Sequence, residues 1–564
     1  MLSKKILGLV TALLVTLGLG VPQAAHADSL YSTPTASAAS SWETALIPIN
    51  DQASLLVWTT YDNGTSALKS ARLAIDGTVS EPTIIDQGAD TTFSIQSKTG
   101  WTQLPDGTIA LSWVSSVHSQ ANAAFVKTVN VAYTSDGQEW TQAVSPFESV
   151  TTPDSSCEYG TCSYQSARLT SDKFGTLAVA VQSYPGGSYS DSVLMLKTSS
   201  NGTSWSSATS FSKQLNALEI RALSALPSGG FVAVWSEYSN QSLSMFAVRT
   251  VGATLSSWTR PSLLDNVPGW GGASLLLQTG PKSLGLFFNS EVNNDFTTLY
   301  RKDFNEVTKT WGPKQEVTVV TRSFLNYSGM IGNYNNGVTT LMATYGIYAQ
   351  GTTLIRALYI VNGVTQPVIE RTLEGGQDST PLVIGARADG SIYLGWAGQT
   401  AAPHLSIYRD GAEVSGEDIP TGLTRAYGLA ALSPSGNIFF HFNHYSPSQV
   451  YLTMTYRGAI APAATGTPLI KGTAKVGKKL VATLPVFSSP SGIGISTMQW
   501  YLCTAPVTTV QTAVPAGCLP ISKANATSVK LTAKQKKKYL GFAISNTNLV
   551  GTTLVFAKTT AKIK

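Results

Sequence analysis

The sequence predicts an all-β fold that is built from repeated units. Turn residues followed by alternating apolar residues recur along the chain, and Leu104–Val114 is a clear example. Proline presets φ at the first turn position, glycine adopts a positive φ, and alternation is typical of a half-buried strand. Six of the eight turns follow one another at steps of about 50 residues, which is the spacing of β-propeller blades. The eight segments are Ile49–Trp58, Leu104–Val114, Asp172–Val181, Leu226–Trp235, Gly280–Phe288, Tyr334–Ala343, Arg387–Trp396 and Ser433–Phe442.

The repeats extend from Trp42 to Gly458, and we expect residues 42–458 to form one β-propeller. Eight segments favour eight blades. The last unit, Tyr427–Gly458, contains three predicted strands and lacks a clear fourth. The segment before Trp42 can supply that strand and close the ring, whereas seven blades result if the first and last partial units share one blade.

Residues 1–27 are typical of a secretory signal peptide. Lys4 and Lys5 precede the apolar run Ile6–Val21, and Ala25-His26-Ala27 is a cleavage site of small residues. The alternative is a retained membrane anchor, but the apolar run is short for that role. Residues 28–41 are small and polar and predict a flexible lead-in. We therefore expect a secreted protein without a transmembrane anchor, either released or held non-covalently at the cell wall.

The composition fits an extracellular all-β protein of two or more domains. The chain has 564 residues, of which 12% are charged, with a formal net charge of +6. This mild charge predicts no nucleic-acid partner, and we expect a monomer. The four cysteines form two close pairs, Cys157 with Cys162 and Cys503 with Cys518, which predict two disulfides in an oxidising exterior. A zinc site is the weaker alternative, because neither pair has C-x-x-C spacing.

A second turn motif recurs between later strands of the units. It reads TSDGQEW at Thr134–Trp140 and SSNGTSW at Ser199–Trp205, with degenerate versions that end at Trp258 and Trp311. This motif resembles the Asp-box of sialidase-type (BNR-repeat) β-propellers. In that family the motif is structural and lies on the outer part of the blade. The resemblance therefore implies the fold and carries no implication of sialidase activity.

The composition changes after Arg457. Residues 459–468 are rich in Ala, Pro and Gly and predict a linker. Residues 469–564 resemble the Ig-like β-sandwich repeat at the C-terminus of secreted actinobacterial proteins, through Gly472–Phe487, Met498–Val507 and Ser528–Asn548. The resemblance implies an accessory surface or spacer module, with Trp500 and the 503–518 disulfide in its core. Lys534–Lys538 predicts either attraction to an anionic cell wall or a solvated strand edge.

Candidate site residues lie in the loops that enter the innermost strands of the units. Aromatic, arginine and acidic side chains there suit a carbohydrate or an acidic glycan. The alternative is that these charges pair inside the channel and the aromatic rings pack its rim. The ligand-binding candidates are Tyr164, Arg168, Arg221, Trp270, Arg425 and Tyr427; the catalytic candidates, if the protein is an enzyme, are Glu219, Asp378 and Tyr327.

These residues favour a secreted or cell-surface protein that binds glycan, or another surface polymer, through the channel mouth. One alternative is an exo-glycosidase of the sialidase type, or a lyase. The [FY]-R-I-P motif of sialidases is absent, which leaves the first arginine of that family without a counterpart. Another alternative is an adhesin or scaffold for surface proteins. His441 and His444 suggest a metal or acid–base pair, but a structural role is favoured; we predict no metal site and no cofactor.

Overall fold

The computed structural model is built almost entirely of antiparallel β-sheets. Within the described residues, short 3-10 turns occur at Gln120–Asn122 and Ala533–Gln535. Among the residues that the structure describes, no helix has the length and apolar character needed to cross a bilayer. The described residues are 30–37, 43–153, 155, 163–184, 192–212, 217–239, 242–252, 255–268, 274–292, 296–321, 323–335, 337–347, 351–361, 363–373, 379–386, 391–398, 402–409, 411–423, 426–444, 450–458, 462–489, 495–547 and 552–564.

Eight sheets follow one another between residues 30 and 458, and we number them 1–8 in chain order. Sheet 1 contains Thr44–Asn50, Ala53–Asp62, Thr65–Ala74 and Thr83–Ala89. Sheet 2 contains Thr91–Ile95, Trp101–Gln103, Ile109–Ser119, Ala124–Thr134 and Val150–Pro153. Sheet 3 contains Ser163–Ser171, Leu177–Tyr184, Val193–Ser199 and Thr209–Ser212. Sheet 4 contains Ala217–Ala225, Phe231–Ser239, Ser242–Val251, Ser257–Trp258 and Ser262–Pro268.

The second half of the series repeats the same pattern. Sheet 5 contains Ser274–Gly280, Ser283–Val292, Phe296–Asn305, Thr310–Trp311 and Gln315–Thr321. Sheet 6 contains Ser323–Asn335, Val338–Ile347, Thr352–Val361, Val364–Thr365 and Ile369–Leu373. Sheet 7 contains Ser379–Ala386, Ile392–Gly398, His404–Arg409 and Ala412–Asp418. Sheet 8 contains Tyr427–Leu432, Ile438–His444, Val450–Tyr456 and, from the start of the chain, Thr35–Ala36.

Each sheet packs face to face on the next, and the last sheet packs on the first. A buried apolar cluster joins every consecutive pair, as between sheets 1 and 2, where Leu55 packs with Trp113. Leu46 and Trp58 of sheet 1 pack with Phe439 of sheet 8. The sheets therefore form a closed ring, an arrangement consistent with a β-propeller.

The N-terminal segment completes sheet 8. Thr35 pairs with Thr453 and Ala36 with Leu452, on the outer edge of the sheet. The ring of Tyr31 lies 4.9 Å from that of Tyr456, in the cluster between sheets 7 and 8. The strand that the last unit lacks is thus supplied by the opposite end of the chain.

The turns at Thr134–Trp140 and Ser199–Trp205 have the same hydrogen bonds. The Gly137 N–H donates to the Thr134 hydroxyl (2.8 Å), and two further N–H groups donate to the Asp136 carboxylate. Asn201 accepts the equivalent pair in the second turn. The Trp140 indole donates to Ser70 of sheet 1 (2.9 Å), so the turn ties two sheets together. The fourth strand of sheet 2 begins at Val150, after this turn.

The C-terminal residues form three smaller sheets. Trp500, Leu480 and Phe542 are buried in their shared core. Cys503 and Cys518 form a disulfide between adjacent strands, as predicted. The sheets pair Ala463–Thr465 with Val486–Ser488; join Leu469–Lys471, Lys479–Thr483 and Ser528–Lys530; and join Cys518–Pro520, Ile495–Cys503, Tyr539–Thr547 and Thr552–Phe556.

We expect Tyr31→Ala to destabilise the ring by about 3 kcal/mol, the usual cost of truncating a large buried ring. Tyr31 is 9% exposed, whereas Tyr61 is 75% exposed and makes a suitable control. Tyr61→Ala should change the free energy of unfolding by less than about 0.5 kcal/mol. Chemical denaturation followed by tryptophan fluorescence measures both, and equal stabilities of the two variants would show that the N-terminal strand does not close the ring.

Candidate functional site

The first strands of the eight sheets surround one central cavity of about 460 Å³. Such a volume lies within the range of small-molecule binding sites. All eight sheets contribute to its wall, through residues that include Leu46, Trp101, Leu169, Leu223, Leu276, Ile331, Val383 and Leu429. The cavity is therefore the channel on which the sequence analysis placed its candidate ligand site.

An irregularity in the inner strand of sheet 4 directs a cation into the channel. The strand register shifts between Ile220 and Ala222, which leaves Arg221 without a partner in the ladder. Sheet 3 has a similar shift between Gln165 and Arg168. β-Bulges of this kind redirect a side chain that regular alternation would place elsewhere. Both arginines line the cavity.

Sheet 2 contributes a third cation to the cavity wall, through an insertion that is longer than a β-bulge. Residues 96–100 separate its two inner strands as a turn, and Lys98 of this turn lines the cavity. The Leu169 N–H donates to the Thr99 carbonyl (2.8 Å), which attaches the turn to the inner strand of sheet 3. Each irregularity lies opposite the fourth or fifth residue of the strand that pairs with the inner strand. These residues are Ser112 in sheet 2, Val181 in sheet 3 and Trp235 in sheet 4. Three cations from adjacent sheets therefore lie at one depth in the ring.

Lys98 and Arg168 have few partners inside the protein. Among the described residues, Lys98 makes no hydrogen bond or ion pair. Its side chain is exposed to the lumen but surrounded by protein, and this desolvation lowers its pKa to about 8. Burial likewise lowers the pKa of Arg168 to about 10, against the opposing effect of Glu219. The Arg168 Nε is buried without an acceptor, and one terminal nitrogen donates to the Ile220 carbonyl (3.2 Å).

Arg221 forms an ion pair with Glu219. The two side chains make two contacts, of 2.9 and 3.2 Å, and the Arg221 Nε donates to Ser236 (2.6 Å). The Glu219 side chain is 59% exposed, whereas that of Arg221 is 12% exposed. Part of the predicted internal charge pairing is therefore present, since Glu219 pairs with Arg221 and also acts electrostatically on Arg168.

The rest of the wall is mainly apolar, although it includes the polar residues Ser274 and Asn333. Sheets 5–8 and sheet 1 contribute mainly leucine, isoleucine and valine side chains, together with Pro48 and Pro381. No aspartate or glutamate is among the described residues that line the cavity. The channel is thus cationic along sheets 2–4 and apolar along the remaining arc. This arrangement can hold an anionic group against one side and an uncharged body against the other.

The other predicted site residues lie elsewhere or outside the described part of the chain. Tyr164 is buried between sheets 2 and 3, where its hydroxyl donates to the Glu148 carbonyl (2.8 Å), and it does not line the cavity. Tyr427 is half-buried at the start of the inner strand of sheet 8 and is likewise absent from the wall. Trp270, Asp378, Arg425, Cys157 and Cys162, the side chains of Tyr327 and His444, and residues 1–27 lie outside the described residues.

The sequence analysis missed Lys98. Lys98 lies in a turn inserted between the two inner strands of sheet 2, and the repeated turn-and-alternation pattern has no place for such an insertion. The signal was the polar run Gln96–Gly100 inside an otherwise alternating segment. A break of that kind in a strand pattern indicates an inserted turn or bulge.

A Ser–His–Asp series occurs on the outer strands of sheet 7, but its serine is inaccessible. His404 contacts Asp418 through Nδ1 (2.8 Å) and Ser406 through Nε2 (3.1 Å). Ser406 is 0% exposed and donates its own proton to Glu413 (2.7 Å). A nucleophile must reach its substrate, so this series is a structural network and not a hydrolase triad.

His441 is a core residue of sheet 8. Its ring stacks on Tyr451, its Nδ1 is buried without a partner, and burial lowers its pKa to about 4. Within the described residues, no three His, Cys, Asp or Glu side chains are grouped as metal ligands are. The structural role favoured for His441 agrees with this placement.

We expect the ring to lose stability as the pH falls from about 6.5 to about 4. The unfolded chain takes up a proton at the ordinary histidine pKa, whereas folded His441 resists protonation, so acid favours unfolding by on the order of 3 kcal/mol. His441→Phe, which preserves the stacking, should flatten the pH dependence of the free energy of unfolding. His118→Phe, at a half-buried histidine, is the matched substitution with which His441→Phe is compared. An unchanged slope in His441→Phe would contradict the assignment.

Comparisons with known proteins place the chain in no family. No family model matches it, and no curated protein does. Among solved structures it is similar to the polysaccharide lyase Uly1, with 10% identity over 77% of this chain and 94% of that one and a TM-score of 0.37. An α-L-arabinofuranosidase from Fusarium graminearum matches with 11% identity over 52% and 92%, at a TM-score of 0.30. A neuraminidase-like protein of A/little yellow-shouldered bat/Guatemala matches with 9% identity over 53% and 95%, at a TM-score of 0.30. Similarity at this level supports no assignment of ligand or activity.

Proposed function

We propose that this protein binds a carboxylate-bearing saccharide in the central channel and does not transform it. The observation that carries the proposal is the row of Lys98, Arg168 and Arg221 along one side of the cavity, in which Glu219 is the carboxylate that pairs with Arg221. Buried charges are costly unless they are paired, and one carboxylate does not neutralise three cations, so the lumen favours an anionic ligand.

The architecture we propose for this function is an eight-bladed β-propeller of residues 42–458, completed by the lead-in 28–41. Eight sheets and eight inner strands around one cavity support it. The turns at Thr134–Trp140 and Ser199–Trp205 act as Asp-boxes, and their matching hydrogen bonds support that assignment. Residues 469–564 form an Ig-like accessory module behind the linker 459–468, and Ala463–Thr465 of this linker pair with Val486–Ser488 of the module. Its two larger sheets share the core around Trp500.

We further propose that the protein is secreted after removal of residues 1–27. The disulfide between Cys503 and Cys518 supports an oxidising compartment. An extracellular location would also give the channel access to glycans of a cell surface or of the surroundings.

The two sides of the channel would contact different parts of the ligand. Lys98 and Arg168 would receive the carboxylate, since an amine and a guanidinium both donate to anionic oxygens. The leucine-rich arc, which includes Leu276 and Leu429, would contact the apolar face of a sugar ring. The charged side thus selects for the acid, while the apolar side selects for shape.

An exo-glycosidase is the second candidate, and the exposed Glu219 carboxylate favours it. This carboxylate lies beside Arg221 and is open to solvent, as a group acting on a bound substrate must be. Glycosidases need a second carboxyl group at a defined separation. Asp378 would have to provide it, with Tyr327 as a further participant.

The test is calorimetric titration of the full chain with digalacturonate and with its methyl ester, which has the same rings without the charge. We expect Lys98→Gln and Arg168→Gln each to weaken digalacturonate binding by about tenfold, the usual loss for a charge-assisted contact. Lys282→Gln removes an exposed lysine in a turn and should leave the affinity unchanged. Affinity should also fall as the pH rises through about 8, where Lys98 loses its charge.

Equal affinity for the acid and its ester would overturn the proposal. A fluorogenic glycoside panel on the same sample tests the enzyme. Turnover that is abolished by Glu219→Gln would establish a glycosidase instead of a binding protein. Neither binding nor turnover would favour a scaffold for protein partners.

A further inference from the structure

Charge is divided very unevenly along the chain. All 32 acidic residues precede Ile419, and residues 28–468 contain 23 basic residues, for a formal net charge of −9. Residues 469–564 contain 13 lysines with no arginine, histidine, aspartate or glutamate, for a net charge of +13. The whole-chain value of +6 therefore conceals an acidic ring and a strongly basic C-terminal module.

The lysine amines of this module have no partners among the residues that the structure describes. Twelve are exposed, and only Lys538 is half-buried. No hydrogen bond or ion pair joins any of the 13 amines to another residue of the described chain. Since the module has no carboxylate side chain, a counter-charge must come from outside it.

Backbone hydrogen bonds gather ten of the lysines at one end of the module. Leu531 donates to the Lys478 carbonyl (2.9 Å), Ile563 donates to the Lys538 carbonyl (2.9 Å), and the Lys564 N–H donates to Ala474 (3.0 Å). These bonds join the turn 475–479, the strand end 530–531, the turn 534–538 and residues 562–564. We call this surface the lysine end; it contains Lys475, Lys478, Lys479, Lys530, Lys534, Lys536, Lys537, Lys538, Lys562 and Lys564.

The strands and turns of the lysine end hold its lysines close together despite their mutual repulsion. Lys479 and Lys530 are direct cross-strand partners, an arrangement of like charges that destabilises a sheet. Thr532 donates to the Gln535 side chain from both its N–H (2.6 Å) and its hydroxyl (2.7 Å), and this fixes the turn that carries Lys534 and Lys536. A surface that carries clustered charge of one sign attracts partners of the opposite charge.

We propose that the lysine end binds a linear anionic polysaccharide through charge density. Lysine presents a compact, hydrated point charge, whereas planar, bidentate recognition of single phosphates or base edges is the property of arginine, which this module lacks. Large aromatic faces for base stacking are also scarce, because Tyr501 and Tyr539 are both partly buried. A sugar polymer with regularly repeated acidic groups fits these chemical features better than a nucleic acid does. The inference does not depend on the channel.

The experiment measures binding of the full chain to dextran sulfate, with uncharged dextran as the ligand control, over a series of salt concentrations. We expect Lys479→Gln/Lys530→Gln/Lys536→Gln to weaken binding by about tenfold or more at ~50 mM salt and to reduce the slope of log K against log salt by about 2. Lys471→Gln/Lys523→Gln/Lys558→Gln removes the same charge from exposed positions outside the lysine end, and should weaken binding by less than about threefold. Circular dichroism of both triple variants verifies that they fold.

Three binding results would overturn the inference: no binding of the wild type, equal losses in the two triple variants, or tighter binding to duplex DNA at equal charge concentration. Salt-sensitive self-association that is lost in the first triple variant would also overturn it, and would identify the acidic ring of a second copy as the partner. Lys98→Gln should bind dextran sulfate as the wild type does, so failure here and failure of the channel proposal are separable.

Discussion

Every sheet in the ring has two apolar faces, and each face needs a neighbour to cover it. Successive residues of a strand point to opposite faces, so a strand that is covered on both sides is apolar along its whole length. Leu177–Tyr184 is buried at all eight positions for this reason. A linear row of such sheets would leave two faces bare, and closure removes both. The pairing of the first strand with the last sheet holds the ring closed.

The channel is a product of this closure, and its chemistry depends on local departures from regularity. Regular inner strands would give the lumen a wall of alternating side chains from every sheet. The shifts beside Arg168 and Arg221, and the turn that carries Lys98, place three cations on one side instead. Desolvating these cations destabilises the ring, and the apolar clusters between the sheets offset this penalty.

Much of the ring follows from local patterns in the sequence, since a repeated turn and a repeated alternation encode a repeated hairpin. The step between the turns predicted the order of the sheets, and the search of the inner loops found Arg168 and Arg221. Tyr164 looked equivalent to them, yet the register shift after Gln165 turns it into the core. Lys98 was not predicted as a lining residue, because an inserted turn has no periodic pattern in the sequence. The formal net charge of +6 describes the whole chain and does not show that the ring is acidic while the C-terminal module is basic.

The closing contact also determines when folding can finish. The Thr35 carbonyl accepts a hydrogen bond from Thr453, which lies 418 residues further along the chain. Contacts this distant in sequence form late, because a long loop must close first. During synthesis, the first strand and the outer face of sheet 1, with Leu46 and Trp58, therefore wait uncovered until sheet 8 has emerged. Such exposed edges and faces are prone to aggregation, and closure of the ring covers them only once its whole length is available.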